Sequence, residues 1–262
     1  MTEFRDAVIA DPGGTLLALD FDGTLAHIVD DPAQAYAHGH SIAALGRLGG
    51  VIGQIAIITG RPVAQALELG GFVGREGFER LIILGQYGAE RWNAPDGKPD
   101  HVERPDAIAR LRELLPGWLA EHGAEHVRIE DKGLAMALHA RGMDPGVLAS
   151  LAQPMADPAA QLGLVVEPGS QVVALRSSGV DKGQALRSLV LETGAQRVIF
   201  AGDDLGDLPA FDAVDELRGL GIDGLLICSA SAEQDALVAR ADIVLDGPDD
   251  VATWLGGLAD EF

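Results

Sequence analysis

The sequence predicts an α/β fold in which a parallel β-sheet is covered by helices on both faces. Three observations support this fold class. Apolar runs rich in Val, Ile and Leu recur without polar alternation, which is typical of strands buried on both faces. Helix-like segments lie between most of these runs. Several runs end in glycine or acidic residues, at the edge where parallel sheets usually bind ligands.

The predicted elements alternate along the chain, and this order favours a Rossmann-like parallel sheet. The apolar runs predict strands at 15–21, 52–59, 80–85, 197–202, 224–228 and 242–245. Helices are predicted at 41–48, 62–69, 181–193, 208–217 and 232–239.

The middle of the chain has a different pattern, which predicts an inserted α+β module. Residues 93–100 are polar and rich in turn formers, as in a linker. Predicted elements then follow: a helix at 106–121, strands at 127–130 and 134–139, a helix from 145 to 151 or beyond, and strands at 163–166 and 171–175. We expect a core domain of residues 1–96 and 179–262 and an inserted domain of residues 97–178.

The charge balance excludes several classes of partner. The chain has 40 acidic and 19 basic residues, giving a net charge of −21. Nucleic acids and anionic membranes require a basic face, so neither is expected as a partner. The single cysteine, Cys228, cannot form an intramolecular disulfide. Because no apolar run is long enough to span a bilayer, we expect a cytoplasmic enzyme. We also expect a monomer.

Two aspartates, Asp20 and Asp22, end the first apolar run in the sequence LALDFDGTL. If the strand continues, the two side chains face the same way, and carboxylates this close favour a cation between them. In the functional interpretation, Asp20 attacks phosphorus to form an aspartyl-phosphate, and Asp22 acts as general acid and then as general base. Mg²⁺ would neutralise the two anions. A helix cap or turn former is the alternative.

Thr59 and Lys182 are further catalytic candidates. Thr59 ends the second apolar run, two residues before Arg61, and its hydroxyl could donate to a phosphoryl oxygen at a helix N-terminus. The same segment would also serve as an ordinary helix start. Lys182 opens a helix, where a positive charge is unfavourable unless a phosphate and the Asp20 carboxylate compensate it. An exposed lysine is the alternative.

The segment GDDLGD, residues 202–207, is a second acidic cluster at the end of an apolar run. Clustered carboxylates indicate octahedral oxygen ligation of Mg²⁺. Asp203 is the expected direct ligand, Asp207 acts through water or by orienting a lysine, and the role of Asp204 is open. A run of helix-capping aspartates is the alternative. The predicted metal group comprises Asp20, Asp22, Asp203, Asp204 and Asp207.

Charged residues on the predicted hairpins of the inserted module suit the hydroxyl groups of a sugar. A solvated hairpin would have the same composition, so the pattern alone leaves both interpretations open. His38 and His40 have metal-like spacing, but they lie in a polar loop, and we interpret them as exposed.

The chain resembles the haloacid-dehalogenase-like superfamily. Asp20 with Asp22, then Thr59, Lys182 and the GDDLGD segment follow the order of that superfamily's four motifs. The insertion between the second and third motifs is similar to its larger α+β caps. This resemblance implies a phosphatase whose cap closes over the substrate and excludes bulk water.

A finer resemblance is to trehalose-6-phosphate phosphatases. It rests on the segments GQYGAE at 85–90, EDKG at 130–133, HAR at 139–141 and EPG at 167–169. The resemblance implies that the inserted domain determines substrate specificity. It also implies substrate contacts from Arg61, Gln86, Tyr87, Glu90, Glu130, Lys132, Arg141 and Glu167.

Together these observations predict an Mg²⁺-dependent phosphatase that hydrolyses trehalose 6-phosphate, a small-molecule sugar phosphate. The same chemistry on sucrose phosphate, mannosylglycerate phosphate or a hexose phosphate is an alternative. So are a phosphotransferase, in which an acceptor sugar replaces water, and a non-catalytic regulator that binds a sugar phosphate.

Overall fold

The computed structural model describes residues 2–100, 103, 105–139, 146–169, 172–177, 181–229 and 235–262. The chain divides into two compact units. The core unit consists of Met1–Asp100 and Asp181–Phe262, and the inserted unit consists of His101–Val180.

The elements of the described residues alternate as an α/β fold requires. The strands are β1 (Thr15–Leu19), β2 (Gln54–Ile58), β3 (Ile82–Gly85), β4 (Glu90–Asn93), β5 (Arg128–Asp131), β6 (Ala135–His139), β7 (Leu164–Gly169), β8 (Val172–Ser177), β9 (Arg197–Gly202), β10 (Asp223–Ser229) and β11 (Ile243–Leu245). The helices are α1 (Thr2–Ala10), α2 (Gly39–Gly49), α3 (Val63–Gly70), α4 (Asp106–Glu121), α5 (Gly146–Gln161), α6 (Lys182–Thr193), α7 (Leu208–Gly219), α8 (Asp235–Val238) and α9 (Gly247–Ala259).

A seven-stranded sheet in the order β11-β10-β9-β1-β2-β3-β4 forms the centre of the core unit. Neighbouring strands are parallel except β3 and β4, which are antiparallel. The order reverses on the two sides of β1, because the chain passes first to β2 and returns later through β9. The carboxyl ends of β1, β2 and β9 therefore meet at one edge of the sheet.

Side chains of β1 alternate between two hydrophobic cores, one on each face of the sheet. Leu17 and Leu19 belong to a core shared with α2, α3 and α9, while Leu16 and Ala18 belong to a core shared with α6 and α7. All four are completely buried, which explains why the run lacks polar alternation. The predicted α/β class, with helices on both faces, is confirmed.

The inserted unit has its own antiparallel sheet, in the order β5-β6-β8-β7. Helices α4 and α5 pack on one face of this sheet and form a separate core. Buried members of that core are Leu115, Met136, Leu138, Met155 and Leu175. The order of helix, hairpin, helix and hairpin agrees with the α+β pattern predicted from the sequence.

Several elements extend or differ from the prediction for identifiable reasons. Helix α5 extends to Gln161, which agrees with the prediction of a helix from 145 to 151 or beyond, although Pro154 and Pro158 lie inside it. Proline removes a helical N–H donor, so the sequence alone left the end of this helix open. Strand β4 and helices α1 and α9 were not predicted. Residues 97–100 lie with the core unit, because the Asp100 N–H donates to the Arg91 carbonyl at 2.8 Å.

No helix among the described residues combines the length and the hydropathy that crossing a membrane requires.

Candidate active site

Three candidate residues lie at the carboxyl edge of the core sheet. Strand β1 ends one residue before Asp20, and the Asp20 N–H donates to the Ala201 carbonyl of β9 at 2.9 Å. Asp203 follows directly after β9, and Thr59 follows directly after β2. The parallel pairing of these strands thus brings together residues that lie far apart in the sequence.

Asp20, Asp203 and Asp207 form a buried acidic triad. Their carboxylate oxygens lie within 4.8 Å of one another, and each residue is at most 4% exposed. The ammonium of Lys182, the first residue of α6, lies 2.7 Å from an Asp20 oxygen and 2.7 Å from an Asp207 oxygen. One positive charge therefore faces three carboxyl groups.

Asp207 positions its neighbours through both of its oxygens. Oδ1 accepts from Lys182, and Oδ2 accepts the backbone N–H groups of Asp203 at 2.9 Å and Asp204 at 3.1 Å. A Cβ atom at Gly202 would lie 2.4 Å from the Asp207 carboxyl carbon, so only glycine fits there. The predicted orienting role of Asp207 agrees with these contacts.

The buried charges shift the pKa values of the triad. Burial raises the pKa of Asp20 well above its ordinary value, although Lys182 partly offsets this. Burial, together with the charges of Asp204 and Asp20, likewise raises the pKa of Asp203. Burial alone would lower the pKa of Lys182, but the neighbouring carboxylates raise it well above its ordinary value. Lys182 thus remains charged, and the triad remains short of positive charge.

The donor set of the triad fits a hard divalent cation, which prefers carboxylate oxygens. Both oxygens of Asp207 are already engaged, so Asp20 and Asp203 are the members that can turn an oxygen toward an ion. Within the described residues, the Asp203 carboxylate makes no hydrogen bond or ion pair. A bound cation would supply the missing positive charge, and the triad could therefore hold a metal ion.

Asp22 lies apart from the triad and pairs with Arg61. The guanidinium donates from Nε to Oδ2 at 2.7 Å and from a terminal nitrogen to Oδ1 at 2.6 Å. Arg61 is 7% exposed, and its guanidinium lies 5.6 Å from the ring centre of Phe21. Because β1 ends at Leu19, Asp20 and Asp22 do not share a strand face.

The structure does not favour two of the predicted metal ligands. The Asp22 carboxylate is held by Arg61, and the Asp204 carboxylate accepts the Gly206 N–H at 2.8 Å as a helix cap. Direct ligation by either side chain stays a prediction that these contacts do not support. The capping role that the sequence left open is present at Asp204, beside the acidic triad.

The segment after β3 lies against Thr59 and Arg61. The Tyr87 N–H donates to the Thr59 carbonyl at 2.9 Å, and the Gln86 N–H donates to the Arg61 carbonyl at 2.8 Å. Gln86 and Tyr87 have φ angles of 48° and 63°, a left-handed conformation that costs free energy in non-glycine residues. A Cβ at Gly60 would lie 2.9 Å from the Tyr87 ring. These residues form one tightly packed corner of the sheet edge.

Glu90 fixes this corner from the side. One carboxylate oxygen accepts the Val63 N–H at 2.7 Å, at the start of α3, and the other accepts from the Gln86 amide at 2.7 Å. Thr59 is 1% exposed, and its hydroxyl oxygen accepts the Arg61 N–H at 3.1 Å. Glu90 thus acts as a support for Gln86, a role that differs from the predicted substrate contact.

Predicted residues in the inserted unit lie on its own sheet. Glu130 of β5 pairs with His139 at 2.7 Å, and this hydrogen bond is the main reason that the pKa of Glu130 is lowered. Glu167 of β7 pairs with Arg176 of β8, and both side chains are about nine-tenths buried. Lys132 follows β5 in the turn before β6, and its N–H donates to the Ala135 carbonyl. Arg141 lies outside the described residues.

Sequence reasoning missed Gly23, Ser229 and Arg176. Gly23 has a φ of 72°, and a Cβ there would lie 2.0 Å from an Asp203 oxygen. The Ser229 hydroxyl at the end of β10 donates to the Gly23 carbonyl at 2.6 Å. The glycine directly after Asp22 was the available signal, because left-handed backbone favours glycine. Nothing in the sequence marked the other two.

Comparison with known proteins identifies the family. The family model for trehalose-phosphatase matches residues 18–237. A trehalose-phosphate phosphatase from Mycobacterium marinum is 30% identical over 277 residues, which span 100% of this chain and 67% of that protein. The chain belongs to the trehalose-phosphatase family.

Solved structures agree with the trehalose-phosphatase fold. The C-terminal domain of a Candida albicans trehalose-6-phosphate phosphatase matches with a TM-score of 0.78 at 20% identity, over 98% of this chain and 96% of that one. A haloacid dehalogenase-like hydrolase from Bacteroides thetaiotaomicron matches with a TM-score of 0.62 at 17% identity, over 93% of this chain and 99% of that one. The predicted haloacid-dehalogenase-like fold is confirmed.

Asp203→Asn is predicted to stabilise the protein when divalent metal is removed by a chelator. The substitution removes a buried carboxylate that lacks sufficient positive charge, and we expect a gain of about 1 kcal/mol, or about 2–4 °C in Tm. The gain should grow as the pH rises above the ordinary aspartate range, because the folded wild type has a raised Asp203 pKa and loses stability as that group ionises. Thermal unfolding of wild type and variant at several pH values measures this gain in stability.

Asp207→Asn is the matched variant, and we expect it to change the free energy of unfolding in the opposite direction. It removes a partner of the buried Lys182 charge, and we expect a loss of about 3–5 kcal/mol. Loss of stability in both variants would contradict the charge shortage inferred for the triad.

Gly23→Ala is predicted to weaken divalent-metal binding at least about tenfold, since its Cβ would displace the Asp203 carboxylate. Gly74→Ala is the control, because Gly74 has a φ of 76° but no atom within 4 Å of its would-be Cβ. The control should lose about 1–2 kcal/mol of stability and keep its metal affinity. Calorimetric titration with a divalent metal compares the two variants. Equal metal affinities would contradict the inference that a Cβ at position 23 displaces the Asp203 carboxylate.

Proposed function

We propose that the protein is an Mg²⁺-dependent phosphatase that hydrolyses trehalose 6-phosphate to trehalose and inorganic phosphate. The observation that carries this proposal is the buried contact of Lys182 with Asp20 and Asp207 beside Asp203. A carboxylate can approach a phosphate dianion only where positive charge is fixed in advance. Membership of the trehalose-phosphatase family supports the choice of substrate.

Asp20 is the proposed nucleophile. One of its oxygens accepts from Lys182, which fixes the carboxylate at the end of β1. Attack on phosphorus forms an aspartyl-phosphate and breaks the bond from phosphorus to the sugar oxygen. A water molecule then attacks the same phosphorus, which releases inorganic phosphate and regenerates the Asp20 carboxylate.

Asp22 is the proposed general acid and base. In the first step it gives a proton to the departing sugar oxygen, and in the second it removes a proton from the attacking water. Its bidentate pair with Arg61 holds the ionised carboxylate at the same edge of the sheet as Asp20, and one of these two hydrogen bonds must open when that oxygen carries the transferred proton. The buried guanidinium thus acts as a positioning group for Asp22, and it adds positive charge near the phosphate.

The remaining groups bind the phosphate. Asp20 and Asp203 would hold Mg²⁺, which supplies charge neutralisation between the nucleophile and the phosphoryl oxygens when bound. Lys182 contributes a second fixed positive charge in a buried setting, where it is weakly screened. The Thr59 hydroxyl is buried directly after β2, four residues before α3 begins, and is the proposed donor to a phosphoryl oxygen.

The sugar is proposed to bind the face of the inserted sheet that lies opposite α4 and α5. Glu130, Ala137, Ala174 and Glu167 are directly paired across β5, β6, β8 and β7, so they form one row on one face. The outer members lie about 14 Å apart at Cα, three strand spacings. Two partly exposed carboxylates therefore flank two small side chains that are 0% and 2% exposed, and the carboxylates are the groups offered to the hydroxyl groups of a disaccharide.

His139 and Arg176 support this row. His139 hydrogen-bonds the Glu130 carboxylate, and Arg176 pairs with the Glu167 carboxylate. Both carboxylates are therefore held in one orientation before any substrate arrives, which lowers the entropic cost of binding. We assign the inserted unit the role of discriminating among sugar phosphates.

Asp20→Asn should lower kcat for phosphate release from trehalose 6-phosphate by at least about 10⁴-fold, because the amide is not a nucleophile. A chelator should likewise abolish release, and added Mg²⁺ should restore it. Phosphate release by wild type and variant is compared over a panel of trehalose, sucrose, mannosylglycerate and hexose phosphates. If the variant turned over substrate as fast as the wild type, Asp20 could not be the nucleophile. If the wild type preferred another sugar phosphate of the panel, that compound would replace trehalose 6-phosphate as the proposed substrate.

Glu130→Gln and Glu167→Gln should each lower kcat/KM for the preferred sugar phosphate by about 10- to 100-fold, since a hydrogen bond to a charged group contributes about 1.5–3 kcal/mol. Glu125→Gln is the matched control, because Glu125 is exposed in the turn that precedes β5. Hydrolysis of p-nitrophenyl phosphate, which lacks the sugar, should change little in all three variants. Equal losses on both substrates would contradict a role in sugar recognition.

A further inference from the structure

Three segments of the core unit bring His27, His38 and Asp249 together. The Asp249 Oδ1 atom lies 3.0 Å from Nε2 of His27 and 3.3 Å from Nε2 of His38. The ring of His38 also lies 6.2 Å from that of His27 and 5.3 Å from that of His40, between centroids. The sequence alone did not show that His27 and Asp249 join the His38 and His40 pair.

From this cluster we infer a binding site for a divalent transition-metal ion, of which Zn²⁺ is the probe, held by His27, His38 and Asp249. Neutral imidazole and carboxylate groups are typical zinc ligands, at about 2.0–2.2 Å from the ion. Ligands around a tetrahedral ion of that size lie about 3.3 Å from one another. The two distances to the Asp249 oxygen are of this size, whereas the two imidazole nitrogens lie more than 4.8 Å apart and would have to approach each other around an ion. His40 or water would fill the fourth position.

The cluster would have to close around an ion by rotation of its side chains. The side chains of His27 and Asp249 are 52% and 70% exposed, whereas that of His38 is only 24% exposed. The acidic triad is already compact, with its ligand atoms within 4.8 Å of one another. The histidine cluster must instead turn its two exposed side chains inward, so its affinity should be lower than that of a preformed zinc site.

The two ring nitrogens of His38 have different surroundings. Its Nδ1 atom is buried and has no hydrogen-bond partner among the described residues, while its Nε2 atom faces Asp249. A buried polar atom without a partner is rare and calls for an explanation. An ion held at Nε2 would leave Nδ1 as a donor on the other side of the ring, so a water molecule is the expected partner of Nδ1.

An ion at this site would join three segments that border the catalytic edge. His27 follows Ala26, whose carbonyl accepts the Gly23 N–H at 2.7 Å in the loop after Asp22. His38 precedes α2, and Asp249 lies in the first turn of α9. The site would be distinct from the proposed Mg²⁺ site, because imidazole ligands do not suit Mg²⁺.

Calorimetric titration of tag-free protein with Zn²⁺ tests the inference, with excess Mg²⁺ present to occupy the acidic triad. We expect one Zn²⁺ ion per chain and a higher Tm when it is bound. His38→Gln and Asp249→Asn should each weaken Zn²⁺ binding at least about 100-fold. His126→Gln is the matched control, because His126 is exposed in the inserted unit, and it should bind Zn²⁺ as the wild type does.

Co²⁺ provides a second readout, since a tetrahedral site with nitrogen ligands gives visible absorption bands that are far more intense than those of water-ligated Co²⁺. The bands should appear in wild type and in the control and be absent in His27→Gln. The His27 side chain is half-exposed, so its replacement should leave the fold intact, and circular dichroism checks this. Absence of Zn²⁺ binding in wild type, or unchanged binding in His27→Gln and His38→Gln, would overturn the site. Neither outcome bears on the proposed phosphatase activity, which is measured separately.

Discussion

The buried ammonium of Lys182 is the constraint on which the catalytic edge depends. It lies 2.7 Å from both Asp20 and Asp207, and all three residues are nearly inaccessible to solvent. Desolvation of such charges is costly, and only close pairing offsets it. Because the three residues come from different segments, the end of β1, the start of α6 and the turn after β9 must meet in one arrangement. The charge that pairs the two carboxylates thus also fixes the geometry of the site.

The fold class could be predicted because each strand of the core sheet is buried on both faces. The run from Leu16 to Leu19 shows this directly, since its side chains enter two different cores. Asp20 and Asp203 could be predicted as well, because parallel strands end at one edge and acids do not belong in a buried run. Helix α5 was only partly predicted, because Pro154 and Pro158 normally end a helix.

Side-chain partners across the sheet edge could not be predicted from spacing. Asp22 lies two residues after Asp20, and strand periodicity would place the two side chains together only if β1 continued. The chain turns instead, and Asp22 meets Arg61, which is 39 residues away in sequence. Glu90 is a similar case, because its contacts with Gln86 and the start of α3 depend on the turn after β3. Such pairings follow from tertiary packing, which one sequence does not record.

Under the proposed function, the contacts of the two units separate the chemistry from the recognition of the sugar. Every contact of Asp20, Asp22 and Lys182 lies within the core unit, among the described residues. The pairs of Glu130 with His139 and of Glu167 with Arg176 lie within the inserted unit. If the proposed roles hold, a substitution in the row of the inserted sheet can change the preferred sugar without disturbing the buried charges of the triad. The two hydrogen-bond networks share no residue, so each can vary while the other is kept.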